Sequence, residues 1–458
     1  METKELKEKL FYSKKNVFEH SEADAEAAYE YATNYMRFLD AAKTERESVV
    51  ESIKIAEAAG FKAYQLGDSI NVGDKLYFNN RGKNLFLFTV GTEPLENGIR
   101  IAAAHIDSPR LDLKQCPLYE ESGMGFFKTH YYGGIRKYQW LATPLSLHGV
   151  IVTKDERVID VIIGEDESDP VFYINDLLPH LAQDQAKKPL SEAISGEQLN
   201  ILIGSMPDEE EHSVKLNILK LLNEKYGIAE DDFLSAELSV VPAAKARDVG
   251  FDRSMIGAYG HDDRVCAYPA MTALFDNTDS RHTLLCILAD KEETGSDGPS
   301  GMQGILMIDL INEISHALGG NPAVVRAHSK CLSADVSAAF DPNFAEVFEK
   351  RNAAMLGCGA VFTKFTGSRG KSGTNDANAE YVGWLRHILS RDDVVWQAAE
   401  LGKVDIGGGG TVAKYISKHN IDTIDLGVPV LSMHAPFEVI AKVDLYETYR
   451  ACTAFYKY

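Results

Sequence analysis

The sequence predicts an α/β protein: a central sheet flanked by helices, with a β-rich domain inserted into the chain. Three observations carry this reading. Leu284–Ala289 is an uninterrupted apolar run that stops at Asp290, Lys291, Glu292 and Glu293, before a Gly/Ser/Pro-rich loop. A short run of this kind reads as a strand buried on both faces, as in a parallel sheet. The same pattern recurs: apolar segments lead to His105 and Asp107, to Asp335 and to His434. Between Leu111 and Val249 the pattern is absent, and alternating segments suggest a β-meander instead. Ligands and chemistry in open α/β sheets collect beyond the carboxyl ends of the strands. The recurrence therefore points to a single site.

At 458 residues the chain exceeds one ordinary core, so two domains are expected. Residues 1–110 and 250–458 form one, and 111–249 form the insert. A net charge of -21 argues against nucleic-acid binding, which depends on Lys and Arg neutralising phosphates. No apolar run approaches membrane-spanning length, and METKELKEKLFYSKK lacks the apolar region of a signal peptide. The expectation is a cytoplasmic protein with neither membrane nor nucleic acid as partner. The six cysteines are scattered without a C-x-x-C pair, which fits reduced, mostly buried thiols.

In order along the chain, residues 4–60 read helical. Thr44 with Glu47 resembles a capping box for a helix running toward Ala59 and closed by Gly60. KLYFNN, NLFLFTVG and IRIAAAHID follow as strands. In the insert, GIRKYQWLATPLSLHGVIVTK and RVIDVIIGE suggest β-hairpins and meander strands, and VKLNILKLLNEKYG a helix or lid. LPHLAQDQAKKPLSEAI suggests a helix or lid, and SMPDEEEHS a solvated acidic loop. After Phe251, GHDDRVCAYPAMTALF is a loop feeding a helix, and IDLINEISHALGG a helix closed by glycines. CLSAD is a strand ending in Asp335, LGCGAVFTKFT another strand, and ANAEYVGWLRHILSR an amphipathic helix. IDTIDLGVPVLSMHAPFE holds a strand ending at His434, and VDLYETYRACTAFYKY is the terminal helix.

Two histidines, several carboxylates and no cysteine suit Zn²⁺, with Mn²⁺ or Co²⁺ as alternatives. One His and one terminal carboxylate per metal, with one shared carboxylate, builds a dinuclear site that activates water. Neighbouring Glu292 and Glu293 can point apart, one to metal and one to the attacking water. Asp107, two residues beyond His105, is placed to hold the imidazole's second nitrogen. Asp262 and Asp263 open a helix and offer either a cap or a ligand.

The motifs AAAHIDSP, GHDDR, DKEETGS, SADVSAAFDPN and SMHAPFE resemble those of the aspartyl aminopeptidase and vacuolar aminopeptidase I family of dizinc metallo-aminopeptidases. They occur in the family's order over nearly the whole chain. The resemblance implies a zinc-peptidase-like catalytic domain with a mixed central sheet and an inserted domain mediating dimer contacts. It implies two Zn²⁺ per subunit: His105 and Asp335 on one, Glu293 and His434 on the other, Asp262 bridging. It makes Glu292 the general base and Asp107 the residue that orients His105. It implies a homo-oligomer, a tetrahedral dodecamer, acting on peptides with a free N-terminus. His180 matches a position that reaches a neighbouring subunit's active site and binds substrate there. The segment YYGGIRKYQWLATPLSLHG matches the family's bacterial branch, which leaves acidic (Asp/Glu) and neutral N-terminal residues both open. Lys371 or Arg369 offers a cation for an acidic side chain.

GSRGKSGTND imitates a phosphate loop, but Phe365 stands where that loop needs glycine. Gly407–Gly410 precedes a helix and suits an anion or a backbone wall around Gly409 for the substrate's carbonyl. Two rival classes use the same residues: a dinuclear phosphoesterase, and a shell-forming binding protein with a silent site.

Overall fold

The computed structural model describes residues 3–458. Among these, the longest sheet has nine strands. In spatial order they are Lys62–Ala63, Lys75–Asn80, Asn84–Thr89, Leu284–Ala289, Arg100–His105, Lys330–Ser333, Asp422–Gly427, Ala360–Thr363 and Trp396–Ala398. The four strands from Leu284–Ala289 to Asp422–Gly427 run parallel to one another. Antiparallel neighbours flank them on both sides, so the sheet is mixed. The parallel expectation for Leu284–Ala289 therefore holds along its Arg100–His105 edge and not along its Asn84–Thr89 edge.

The lack of polar alternation in this strand follows from its two coats. Leu284, Cys286 and Leu288 face a cluster that includes Val265 and Met271 of the helix His261–Asp276 and Phe455 of the C-terminal helix. Leu285, Ile287 and Ala289 face Leu310, Ile311 and Ile314 of the helix Leu306–Ala317. Helices cover both faces, so every strand residue is apolar and buried. Truncating one such leucine to alanine costs about 2–5 kcal/mol.

A separate six-stranded sheet, antiparallel throughout, is drawn from chain between Arg110 and Pro242. Of the segment read as hairpin from Gly134 onward, only Leu145–Val152 is strand, paired with Val158–Ile163; Lys137–Trp140 forms a 3-10 turn instead. The segment read as helix or lid is the helix Val214–Tyr226, ended by a left-handed Gly227. This sheet meets the N-terminal helices through a buried polar junction. The capping box of Glu45–Ala58 forms as read, with Glu47 accepting the Thr44 amide. The other Glu47 oxygen pairs with His148 Nδ1 at 2.6 Å, and His148 Nε2 pairs with Glu165 at 3.1 Å. Lys43 completes the group, 2.6 Å from Glu165. Burial alone would lower the His148 pKa, but bonds to Glu165 and Glu47 raise it above the ordinary value. A raised histidine pKa adds stability below the unfolded value, and the gain is lost as pH rises through the folded one. His148→Gln is therefore expected to cost about 3 kcal/mol at pH 6 and less at pH 9. Denaturant unfolding at the two pH values measures this.

A third sheet joins Arg247–Val249, Met255–Ala258, Glu438–Ala441, Pro429–Leu431 and Ser337–Ala338. Its presence corrects one expectation. The segment leading to His434 is not a single strand: Asp422–Gly427 lies in the nine-stranded sheet and Pro429–Leu431 in this one. His434 stands in the turn beyond, with φ 66°. The apolar run crosses the switch unbroken, so hydrophobicity gives no warning of it. The break comes at Gly427, where the Asp335 carbonyl oxygen lies 2.1 Å from the place a Cβ would occupy.

Candidate active site

Parallel pairing brings the carboxyl ends of three strands side by side. His105 is the last residue of its strand. Glu292 and Glu293 form the turn after Leu284–Ala289, and Asp335 lies two residues past Lys330–Ser333. Asp262 and Asp263 enter from the start of the helix His261–Asp276, where their backbone is not helical and the peptide bond between them is cis. Asp262 does not act as a side-chain cap; its own amide donates to Glu438.

These side chains converge. His105 Nε2 lies 3.1 Å from one Asp262 oxygen, and His434 Nε2 lies 3.1 Å from the other. His434 Nε2 is also 3.5 Å from Glu293 Oε1. Ligand atoms of His105, Asp262 and Glu293 lie within 4.8 Å of one another, as do those of His105, Asp263 and Asp335. Each histidine has its tautomer set by a carbonyl, which can only accept. His105 Nδ1–H donates to the Asp107 carbonyl at 2.9 Å, and His434 Nδ1–H to the Gly134 carbonyl at 2.8 Å. Both Nε2 atoms thus face the cluster, where they donate to Asp262 when protonated and offer a lone pair to a cation once the proton has left.

Asp107 does more than the sequence suggested. Its carboxylate sits 3.4 Å from His105 Nδ1, and each of its oxygens also helps fix the glutamate turn. Oδ1 accepts the Glu292 amide and Oδ2 the Glu293 amide, each at 3.2 Å. Tyr132 donates its phenol proton to Oδ2 at 2.8 Å.

Sequence reasoning missed Glu438. It is buried, and one oxygen accepts the Asp262 amide at 3.1 Å while the other accepts the His434 amide at 2.7 Å. A single carboxylate thereby fixes the backbones of two residues 172 positions apart in the chain (434 − 262). The only sequence signal was its place inside SMHAPFE. Glutamine offers one acceptor and would turn its NH₂ toward an amide donor. Glu438→Gln is expected to weaken metal retention by about 10- to 100-fold, read by competition with a chromogenic chelator. Asp263 was also left without a role. Its Oδ2 accepts the His105 amide at 3.2 Å, and its Oδ1 is buried with no partner.

The electrostatics are those of a site that needs positive charge. Burial, reinforced by the Asp262 charge, holds Glu293 well above the usual carboxylate range, and burial does the same to Asp335. Burial pushes Glu292 up to about 7, with Asp107 and Asp262 adding to the effect. Asp262 goes the other way: hydrogen bonds from both histidines outweigh its burial and lower it. The same contact with Asp262, against the effect of burial, raises His434 to about 10. The buried oxygen Glu293 Oε1 has no hydrogen-bond donor. Crowded carboxylates, an unpartnered oxygen and two oriented imidazoles fit a cation, and His/Asp/Glu donors without cysteine fit zinc.

Other expected residues lie outside this cluster. His180 is exposed in a turn between the strands Val158–Ile163 and Ile201–Gly204. Gly409 is exposed, and its amide already donates to the Thr366 carbonyl at 2.8 Å. Lys371 is paired with Asp376 at 2.9 Å and Arg369 is exposed. Among the described residues no helix is long and apolar enough to cross a membrane.

Comparison with known proteins agrees with the geometry. The profile of the family described as aminopeptidase I zinc metalloprotease (M18) matches residues 38–456. A Clostridium acetobutylicum protein named probable M18 family aminopeptidase 1 is 52% identical over 432 residues, 92% of this chain and 93% of its own. The crystal structure of an M18 aminopeptidase from Thermotoga maritima superposes with a TM-score of 0.93 at 43% identity, covering 98% of this chain and all of that one. The yeast mApe1 dodecamer structure shares the fold, with a TM-score of 0.77 at 22% identity over 93% of this chain and 96% of its own. The chain belongs to the M18 family of zinc metallo-aminopeptidases.

Proposed function

We propose that the protein removes N-terminal residues from peptides, with Glu292 as general base and two Zn²⁺ per subunit. His105 and Asp335 would hold one ion, Glu293 and His434 the other, with Asp262 between them and Asp107 orienting His105. When bound, the ions supply the positive charge that polarises the scissile carbonyl and acidifies water. Glu292 takes the proton of the attacking water and returns it to the leaving nitrogen. The carrying observation is the division of labour in one turn. Glu293 faces His434, while Glu292, its neighbour, keeps a half-buried carboxyl raised to about 7.

The base must be ionised to act, so kcat/KM rises with pH through Glu292's titration. Bound cations draw that limb below the metal-free value of about 7. In Glu292→Gln the limb is expected to vanish, as a pH–rate profile will record.

The catalytic domain is assigned to residues 1–110 and 250–458, and the insert to 111–249, as a dimerisation domain. Val171, Leu177, Leu178 and Leu181 are exposed on the insert, which supports self-association into a homo-oligomer, a dodecamer as in the yeast mApe1 structure. His180 stands on the same exposed segment, which suits a role in a partner's active site. Gly409, with its amide engaged, is left to shape the substrate wall through its backbone. A cytoplasmic enzyme is proposed.

Aminoacyl-nitroanilides of Asp, Glu, Leu, Met, Ala and Lys, assayed with and without chelator and with Zn²⁺, Mn²⁺ or Co²⁺ restored, test this reading. Chelator-sensitive cleavage is expected, and the best substrate decides between acidic and neutral preference. Metal-loaded protein that cleaves none of them, or that cleaves a phosphodiester instead, would refute it.

A further inference from the structure

The return of the insert's strand Met124–Tyr132 into the Gly133–Gly134 turn ends directly against the proposed metal site. Tyr132 donates to Asp107 at 2.8 Å, and Asp107 in turn accepts the Glu292 and Glu293 amides. Gly134 supplies the carbonyl that holds His434 Nδ1–H at 2.8 Å. A Cβ on Gly133 would stand 3.2 Å from the Glu293 side chain, and one on Gly134 would stand 3.3 Å from His434 Nδ1. Neither position has room for a side chain without moving a metal-site residue. The phenol is itself fixed, because the Arg110 guanidinium lies 4.0 Å over the Tyr132 ring. Arg110 is anchored to Glu45 at 3.0 Å and Asp112 at 2.8 Å.

We infer that Tyr132 and Gly134 are positioning residues that make the insert a working part of the active site. Tyr132 sets the Glu292–Glu293 turn through Asp107, and Gly134 sets the tautomer and direction of the His434 ring. The inference rests on the metal assignment proposed above. It adds that an element of the other sheet, 300 positions from His434 in the case of Gly134 (434 − 134), decides how well the site holds metal. A shift of the insert is therefore felt at the metal site without any change in a ligand.

The test uses full-length protein loaded with Zn²⁺, and two variants. Tyr132→Phe keeps the ring beneath Arg110 and removes only the hydroxyl; Gly134→Ala crowds the His434 ring. Each is measured for zinc loss to a chromogenic chelator, kcat and KM on a nitroanilide, and thermal midpoint. The expected result is zinc loss faster by about 10-fold or more and a kcat lower by about 10-fold, with KM and midpoint unchanged. Zinc retention and kcat equal to wild type in both variants would overturn the inference. So would metal loss that merely follows a lowered midpoint, since that is a structural role. Zinc loss is read without any substrate, so a wild-type protein that binds zinc and cleaves nothing counts against the proposed reaction and not against this inference.

Discussion

Glu292→Gln protein will hold zinc as the wild type does and turn over about 10³-fold more slowly, within the range general bases contribute. Glutamine fills the same volume but cannot accept a proton. The residue's backbone is fixed independently of its side chain, since the Glu292 amide is held by Asp107. The substitution therefore removes the proton acceptor and leaves the turn standing. Glu293, His434, Asp262 and His105 keep their mutual contacts, none of which passes through the Glu292 carboxylate. Metal content by mass spectrometry and kcat on the best nitroanilide measure the two halves of the prediction. Turnover within tenfold of wild type would remove Glu292 as the base.

Zinc affinity will climb with pH, by about tenfold per pH unit for each proton displaced. The sign follows from the metal-free site. Burial holds Glu293 and Asp335 above the usual carboxylate range, so below their raised pKa values both carry protons. His434, at about 10 through its contact with Asp262, carries one as well at neutral pH. Ligation needs carboxylates and a neutral imidazole, so binding expels these protons. Between pH 6 and pH 8 even a single displaced proton strengthens binding by about 100-fold. Calorimetry in buffers of different ionisation enthalpy counts the protons directly. A flat affinity across that range would show that the groups are already ionised, and the electrostatic reading of the site would be wrong.

Much of this was legible from the chain alone, for a physical reason. Leu284–Ala289 is buried on both faces, and that condition writes itself as a continuous apolar run with the observed limits. The polar groups at His105, Glu292, Glu293 and Asp335 stood out because they follow such runs directly. The capping box at Thr44 and Glu47 was readable because it is local, with both bonds inside four residues. What escaped is non-local or acts through backbone. Glu438 works by accepting two amides, a role that its place four residues beyond His434 in SMHAPFE does not spell out. Tyr132 and Gly134 reach the site from another sheet, across a distance no pattern encodes. The strand switch before His434 hid inside an apolar run that both sheets share.

The most direct test of the account is anomalous diffraction at the zinc edge from crystals of the zinc-loaded protein. Two peaks per chain are predicted, one contacted by His105 and Asp335, the other by Glu293 and His434, with Asp262 touching both. A single peak, or one held by Asp263 with Asp262 uninvolved, would contradict the dinuclear assignment.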